Sequence, residues 1–170
     1  MNKKSSNSID KTIITDFYLS VKIVDIIQFT EDFEMDYKSA FMREMDRQGI
    51  RYSDDGEFRV SVSYSGDFTN SIKINVIFDK DGEGLVALRC WSFGSIPSNA
   101  REYMLERCNK LNAEYRWVKF YIDNDGNLSV GMDAVVDIDS VGKECVQLVK
   151  RMVSIYDDAY PTLIKRCIWY

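Results

Sequence analysis

The 170-residue chain is predicted to fold as an α+β domain, with an antiparallel sheet of about five strands and helices packed on one sheet face. Five segments alternate apolar and polar residues with period two, which is typical of strands with one buried and one open face. Three other segments repeat apolar residues every three or four positions, as amphipathic helices do. The predicted order is helix, three strands, helix, two strands, helix.

The first predicted helix spans residues 36–48. Tyr37, Phe41 and Met45 recur at four-residue intervals and define its buried face. Asp36 is suited to cap the start of this helix, and Gly49 can end it in a left-handed conformation.

Three strands are predicted next, joined by turn-forming residues at 65–70 and 79–84. Their inward-facing apolar residues are predicted to be Phe58, Val60, Val62 and Tyr64, then Ile72, Ile74, Val76 and Phe78, then Val86, Leu88 and Cys90.

The second half of the chain reads as a helix, a hairpin and a long helix. The second helix begins near Pro97, which suits a first turn, and its apolar stripe is Ala100, Tyr103, Met104, Cys108, Leu111 and Tyr115. The hairpin turns at Asp125-Gly126 and buries Val118, Phe120 and Ile122 with Leu128, Val130 and Met132. The last helix begins near Ser140, and Pro161 is expected to break or kink it.

The N-terminal part is less regular. Residues 1–11 are predicted to be a flexible tail. Residues 12–35 fit both a strand, through Phe17, Leu19, Val21 and Ile23, and a helical stripe, so they are predicted to be an appended element of either kind. Residues 36–170 are predicted to form a single domain.

Composition excludes several function classes. With 22 basic and 27 acidic residues, the net charge of −5 argues against a nucleic-acid binder. The most hydrophobic run, residues 13–29, contains three charged residues, so no membrane span is expected. The chain has no histidine, which removes histidine-based catalysis and histidine-ligated metals. Its four cysteines show no C-x-x-C pair, and we expect a reducing cytoplasm.

Acidic clusters offer weak candidates for chemistry. The segment 79–84 reproduces the first positions of a calcium-binding loop, but Cys90 stands where a bidentate glutamate is required, and the flanking patterns are strands. The pairs Asp54-Asp55 and Asp157-Asp158 are interpreted as solvated charge. The protein is therefore predicted not to be an enzyme, and to need no metal or other cofactor.

Several motifs, in this order, resemble the YbjN family, also labelled bacterial sensory transduction regulators. They are Gly49-Ile-Arg-Tyr-Ser-Asp-Asp-Gly56, Phe58-Arg-Val-Ser-Val62, Asn109-Lys-Leu-Asn112, Val118-Lys-Phe-Tyr-Ile-Asp123, Asp125-Gly126 and Asp158-Ala-Tyr-Pro161. The resemblance covers residues 36–165. It implies a type III secretion chaperone-like fold in a bacterial cytoplasmic protein that acts through protein contacts, and it supplies no catalytic residues. Asn109 and Asn112 are expected to satisfy backbone groups at a helix end.

The open face of the sheet is the candidate interaction surface. Strand alternation predicts that it carries aromatic residues and two cations, namely Ile77, Arg89, Trp91, Phe93, Trp117, Lys119 and Tyr121. An exposed aromatic face of this kind has three possible explanations. Residues 12–33 fold over it, it forms a homodimer interface, or it is a groove for a client peptide.

Two functions follow from these observations. The first is a non-enzymatic, chaperone-like or regulatory protein-binding module that uses this face and acts as a homodimer. The second is a small-ligand sensor whose pocket lies between the sheet and the helices, near Tyr103, Tyr115 and Tyr156.

Overall fold

The computed structural model describes residues 36–69 and 71–164, and it confirms the α+β class. The helices are α1 (Tyr37–Arg47), α2 (Arg101–Glu114) and α3 (Val141–Leu163). The strands are β1 (Ser53–Asp54), β2 (Arg59–Tyr64), β3 (Ile72–Phe78), β4 (Leu85–Ser95), β5 (Lys119–Ile122) and β6 (Asn127–Val135). The predictions for residues 1–35, and for Cys167, lie outside the described residues.

One antiparallel sheet contains all six strands, in the order β1-β2-β3-β4-β6-β5. The sequence predicted about five. The additional strand, β1, has only two residues, which pair with Ser61 and Val60 of β2. A two-residue strand shows no alternation, so its pattern could not be recognised.

The start and the end of α1 are as predicted. The Asp36 carboxylate accepts a hydrogen bond from the Ser39 N–H at 2.6 Å, which satisfies one of the free donors of the first turn. Gly49 has φ +66° immediately after the helix, the left-handed conformation that glycine adopts without strain.

The two later helices differ slightly from expectation. Pro97 precedes a short 3₁₀ turn, Ser98–Ala100, and α2 begins at Arg101. Pro161 was predicted to break or kink α3, and it does not break it, because the helix continues to Leu163. Proline removes one hydrogen bond and displaces one carbonyl, and within the last turn few helical residues remain to be affected.

The core lies between the three helices and one face of the sheet. Phe41 and Met45 of α1, Met104 of α2 and Met152 of α3 are fully buried there. The inward strand residues predicted from alternation are fully or partly buried with them, including Val60, Ile74, Leu88, Phe120 and Val130. Phe58 is the exception: it precedes β2 and does not belong to this core. The opposite side of the sheet, which we call the outer face, therefore faces away from the described helices.

Candidate functional site

Strand register defines the membership of the outer face. Directly paired residues lie on the same side of a sheet, and side chains alternate along each strand. The outer face accordingly includes Ser53, Arg59, Ser61, Ser63, Lys73, Asn75, Ile77, Leu85, Ala87, Arg89, Trp91, Lys119, Tyr121, Ser129, Gly131, Asp133 and Val135. Five of the seven predicted surface residues are among them, namely Ile77, Arg89, Trp91, Lys119 and Tyr121.

Trp91 and Tyr121 are the exposed aromatic residues of this face, at 44% and 36% of their full exposure. Tyr121 pairs with Ser129 of β6, and Trp91 follows Cys90, which pairs with Val130. The two rings therefore lie on opposite sides of Ser129, which is completely buried. The Ser129 hydroxyl accepts a hydrogen bond from the Ser92 N–H at 3.0 Å, which holds this part of β4 against β6.

The prediction that Phe93 shares the outer face with Trp91 is wrong. The β4–β6 register shifts between Cys90 and Gly94, and Ser92 has φ +51°. From Cys90 to Gly94 the β4 strand advances four residues, while its partner β6 advances only two, from Val130 to Leu128. Two extra residues are therefore accommodated in β4, and strand alternation does not apply to Phe93, which lies within this irregular stretch. The Phe93 ring instead meets Tyr156 of α3 edge-on, with ring centroids 4.8 Å apart.

The placement predicted for Trp117 is also wrong. Its ring lies against the Arg151 guanidinium of α3, with the guanidinium carbon 4.5 Å from the ring centroid. Trp117 precedes the first residue of β5, so strand alternation does not extend to it. It is 52% exposed and lines a groove of about 400 Å³ beside α3, together with Val135, Val136 and Leu148.

The two predicted cations lie on the outer face but bind groups of the protein itself. Arg89 donates from Nη1 to the Met132 carbonyl at 2.7 Å and from Nη2 to Asp133 at 2.5 Å. Its side chain crosses Gly131, where an added Cβ would come 2.9 Å from Arg89 Cδ. Lys119 donates to the carbonyls of Asn112 and Tyr115 at 3.2 and 3.3 Å, so its charge stabilises the C-terminal end of α2.

Asn112 binds both backbone groups of Phe120. Its side-chain amide donates to the Phe120 carbonyl at 3.0 Å and accepts from the Phe120 N–H at 2.7 Å. Asn112 satisfies backbone groups, as predicted, but the prediction that these groups lie at the helix end is wrong, because they belong to the edge strand β5. The side chain of Asn112 thereby takes the place of a neighbouring strand.

An apolar depression occupies the other end of the outer face. It has a volume of about 530 Å³ and includes Phe58, Ile77, Leu85 and Ala87. Lys80 stands over the Phe58 ring, with Nζ 5.5 Å from its centroid. Sequence reasoning missed Leu85, because the predicted strand was started at Val86, although the alternation extends one residue further back.

Within the strands, the outer face carries more basic than acidic side chains. Four basic residues (Arg59, Lys73, Arg89 and Lys119) lie on it with one acidic residue, Asp133, whereas the full chain has a net charge of −5. Asp55, which follows β1, lies 3.9 Å from Arg59 and 3.7 Å from Lys73. With Asp55 counted, the excess of basic residues is two. Two further acidic residues lie at the rim of the face: Asp79, which lines the depression with Lys80, and Asp123, whose carboxylate accepts from the Ser129 hydroxyl at 3.3 Å.

The carboxylate pairs hold the structure together. Asp54 accepts from Lys38 Nζ at 2.6 Å, and this hydrogen bond lowers the pKa of Asp54. Asp157 accepts from the N–H groups of Asp67, Phe68 and Thr69 at 2.8 to 3.1 Å. Burial raises the pKa of Asp157, but these hydrogen bonds outweigh burial and the net pKa is lowered.

The tyrosines proposed for a ligand pocket do not converge. A cavity of about 430 Å³ is lined by Tyr115, Asp157 and Asp158, but Tyr103 and Tyr156 do not contribute to it. The Tyr115 hydroxyl donates to Asp158, and burial is the largest cause of the raised pKa of Tyr115, followed by this hydrogen bond. The polar groups of this cavity are thus already bonded to one another.

The described ranges contain neither a cluster of metal-binding side chains nor a helix that could span a membrane. Residues 79–84 form the β3–β4 connection between two strands, as predicted. Among residues 36–69 and 71–164, no group of three or more acidic or cysteine side chains is placed to hold a metal ion. No helix in that part of the chain is long and apolar enough to cross a membrane.

Solved structures with a similar fold have low sequence identity to this chain. The crystal structure of YbjN from E. coli, described as a "putative transcription regulator", superposes with a TM-score of 0.52 at 11% identity, covering 75% of this chain and 92% of that one. The heterodimeric ExoU–SpcU complex of the Pseudomonas aeruginosa type III secretion system gives 0.49 at 16% identity, covering 72% and 96%. An uncharacterized protein from Methanothermobacter thermautotrophicus gives 0.43 at 12%, covering 75% and 99%.

The family is established by the sequence. No curated protein matches the chain. The model of the YbjN family, described as "Putative bacterial sensory transduction regulator", matches residues 40–165. This is most of the segment over which the sequence motifs resemble the family, and the chain therefore belongs to the YbjN family.

Proposed function

We propose that this protein is a non-enzymatic binding module that holds a segment of another protein on the outer face of its sheet. The observation that carries the proposal is the composition of that face. Exposed Trp91 and Tyr121 lie at one end, and the apolar depression of Phe58, Ile77 and Leu85 lies at the other. Arg89 and Lys119 lie between the two ends. Tryptophan, tyrosine and arginine are enriched among residues that dominate binding energy.

The charge of the face indicates which segment it would hold. Basic residues predominate along the strands of this face, although the chain as a whole is acidic. Complementary charge speeds encounter and excludes wrong partners. The proposed partner segment is therefore acidic and also carries apolar side chains, which would fill the depression and contact Trp91.

The fixed positions of the basic side chains on the outer face support the same proposal. Arg89 is bonded to Met132 and Asp133, and Lys119 is bonded to the end of α2. Side chains that are already ordered lose less entropy when a partner binds. We also propose that the protein acts as a homodimer, through a different surface that is described below.

A peptide selection tests the outer face. Random peptides displayed on phage are selected against the full chain, and those retained are synthesised and titrated by fluorescence anisotropy. We expect acidic peptides with apolar residues, and a loss of affinity of about 10-fold or more for Trp91→Ala or Tyr121→Ala. Trp117→Ala is the matched control, because it removes an exposed tryptophan that does not lie on this face.

The outcome that contradicts the proposal is equally specific. Peptides whose affinity falls with Trp117→Ala but not with Trp91→Ala would place the binding site beside α3. Thermal melting of each variant shows whether the fold survives the substitution.

A further inference from the structure

We infer that two copies of this chain pair through the C-terminal end of strand β6. This inference rests on the homodimer half of the proposed function, and it is independent of what the outer face binds. Strand β5 pairs with β6 only as far as Gly131, opposite Lys119. The four residues that follow, Met132–Val135, pair with β4 on one side and have no strand on their other side among the described residues. We call them the free edge.

Two hydrogen-bond patterns show which backbone groups point outward at the free edge. Asn112 binds the N–H and the carbonyl of Phe120, so these groups face away from β6. On the other side, the Val136 N–H donates to the Gly84 carbonyl at 2.9 Å, so Val136 faces β4. Because successive residues of a strand alternate in direction, Asp133 and Val135 present their N–H and carbonyl groups away from β4.

The surroundings of the free edge leave room for another strand. Val135 is 74% exposed, the highest value among the large apolar residues that are exposed. The groove of about 400 Å³ lies alongside, lined by Trp117, Val136, Leu148 and Arg151. An uncovered strand with an apolar groove beside it is a template for strand addition.

Symmetry favours a second copy as the added strand. An antiparallel pair centred on Ala134 would set Asp133 of each copy opposite Val135 of the other. Each such pair exchanges two hydrogen bonds, giving four in total. Centring the pair on Asp133 would place two like charges opposite each other, which is unfavourable. The small Ala134 side chains would meet at the two-fold axis and permit close approach.

The surface of α3 is complementary to itself about the same axis. Glu144, Gln147 and Arg151 follow one another at intervals of three and four residues and all line the groove. Residues at this spacing share one side of a helix. With Gln147 near the two-fold axis, Glu144 of one copy would face Arg151 of the other, twice per dimer. The Trp117 ring already holds Arg151 in place.

The first test is the mass of the full chain in solution, by size exclusion with light scattering. We expect a particle of twice the 19.7 kDa chain mass. Val135→Pro should raise the dissociation constant about 10-fold or more, because proline removes a donor from the free edge. Val135→Thr is the matched control, since it keeps the backbone N–H and the branched side chain.

Charge reversal supplies a second test that does not depend on proline. Glu144→Arg alone would place two arginines opposite each other, and Arg151→Glu alone would place two glutamates opposite each other. Each should weaken the dimer about 10-fold, and the double variant should restore it. A merely structural role for either residue would not produce this rescue.

Distinct results overturn the inference. A monomer at the highest soluble concentration does so, as does a dimer that is unchanged by Val135→Pro and by both single charge reversals. Binding of the selected peptides is measured on the same variants. Trp91→Ala should leave the mass unchanged and Glu144→Arg, on α3 and not on the outer face, should leave peptide affinity unchanged, so either proposal can fail alone.

Discussion

The carboxylate of Asp157 in α3 occupies the space that a side chain on Gly66 would need. The three atoms that a Cβ at position 66 would approach most closely all belong to Asp157, and all three come within a separation that real Cβ atoms do not show. The same carboxylate binds the N–H groups of Asp67, Phe68 and Thr69. One acidic residue thus fixes the β2–β3 connection against the last helix and requires glycine beside it.

Gly66→Ala is expected to lower the free energy of unfolding by about 1–3 kcal/mol, as overpacking does. In an Asp157→Ala background the same substitution should cost much less, since the obstructing atoms are gone. Denaturant titrations of the four proteins form a double-mutant cycle. Equal costs of Gly66→Ala in both backgrounds would contradict the contact.

Low pH should reduce the free energy of unfolding, because Asp157 and Glu44 become protonated. Hydrogen bonds from Arg47 and then Gln48 lower the pKa of Glu44 to about 2, and the pKa of Asp157 is also lowered. A carboxyl group with a lowered folded-state pKa stabilises the fold above its unfolded pKa, about 4, and loses this effect as pH falls through the folded value. Stability should therefore decline below about pH 4.

Asp157→Asn tests whether protonation of Asp157 causes this loss of stability at low pH. The variant should be less stable than the parent at neutral pH, and the difference should shrink as pH falls, because the parent carboxylate is being protonated. Urea titrations at several pH values measure both curves. A difference that stays constant down to about pH 2 would contradict the assignment.

Local patterns predicted most of the fold because alternation and helical stripes are visible along the chain. Val86, Leu88 and Cys90 are buried as expected, and α1 begins and ends at its predicted signals. A bulge that interrupts the alternation has no comparable signature in the sequence. The bulge after Cys90 accommodates two extra residues in β4 and turns Phe93 toward α3, whereas Gly94 beyond it pairs with the core residue Leu128 on the side that alternation predicts.

The candidate surface was predictable only in part for the same physical reason. Arg89 and Lys119 lie on the predicted face, but their partners, Met132 and Tyr115, come from other segments of the chain. Such partners are set by strand order, which a single sequence pattern does not encode. The free edge beyond Gly131 likewise depends on where β5 begins. The sequence pattern around Trp117 did not indicate that the strand begins only after this residue.

Asn112→Ala should destabilise the protein by about 1–3 kcal/mol, because both backbone groups of Phe120 lose their partner. Asn109→Ala is the matched control, an exposed asparagine one turn earlier in α2, and should change stability by less than about 0.5 kcal/mol. Amide hydrogen exchange at Phe120 should accelerate in the Asn112 variant alone. Equal effects of the two substitutions would contradict the role of Asn112 in closing the β5 edge.

Cys90 and Cys145 should resist alkylation in the folded protein. Burial raises the pKa of each thiol to about 12, and the charge of Glu144 adds to the effect at Cys145. The thiolate is the reactive form, so at pH 8 both residues should react with iodoacetamide at least about 100-fold more slowly than an unfolded cysteine. Peptide mass spectrometry resolves each site, and the chain unfolded in guanidinium is the internal control. Native labelling at the unfolded rate would mean that these two core positions open to solvent far more readily than their packing against the sheet and α3 implies.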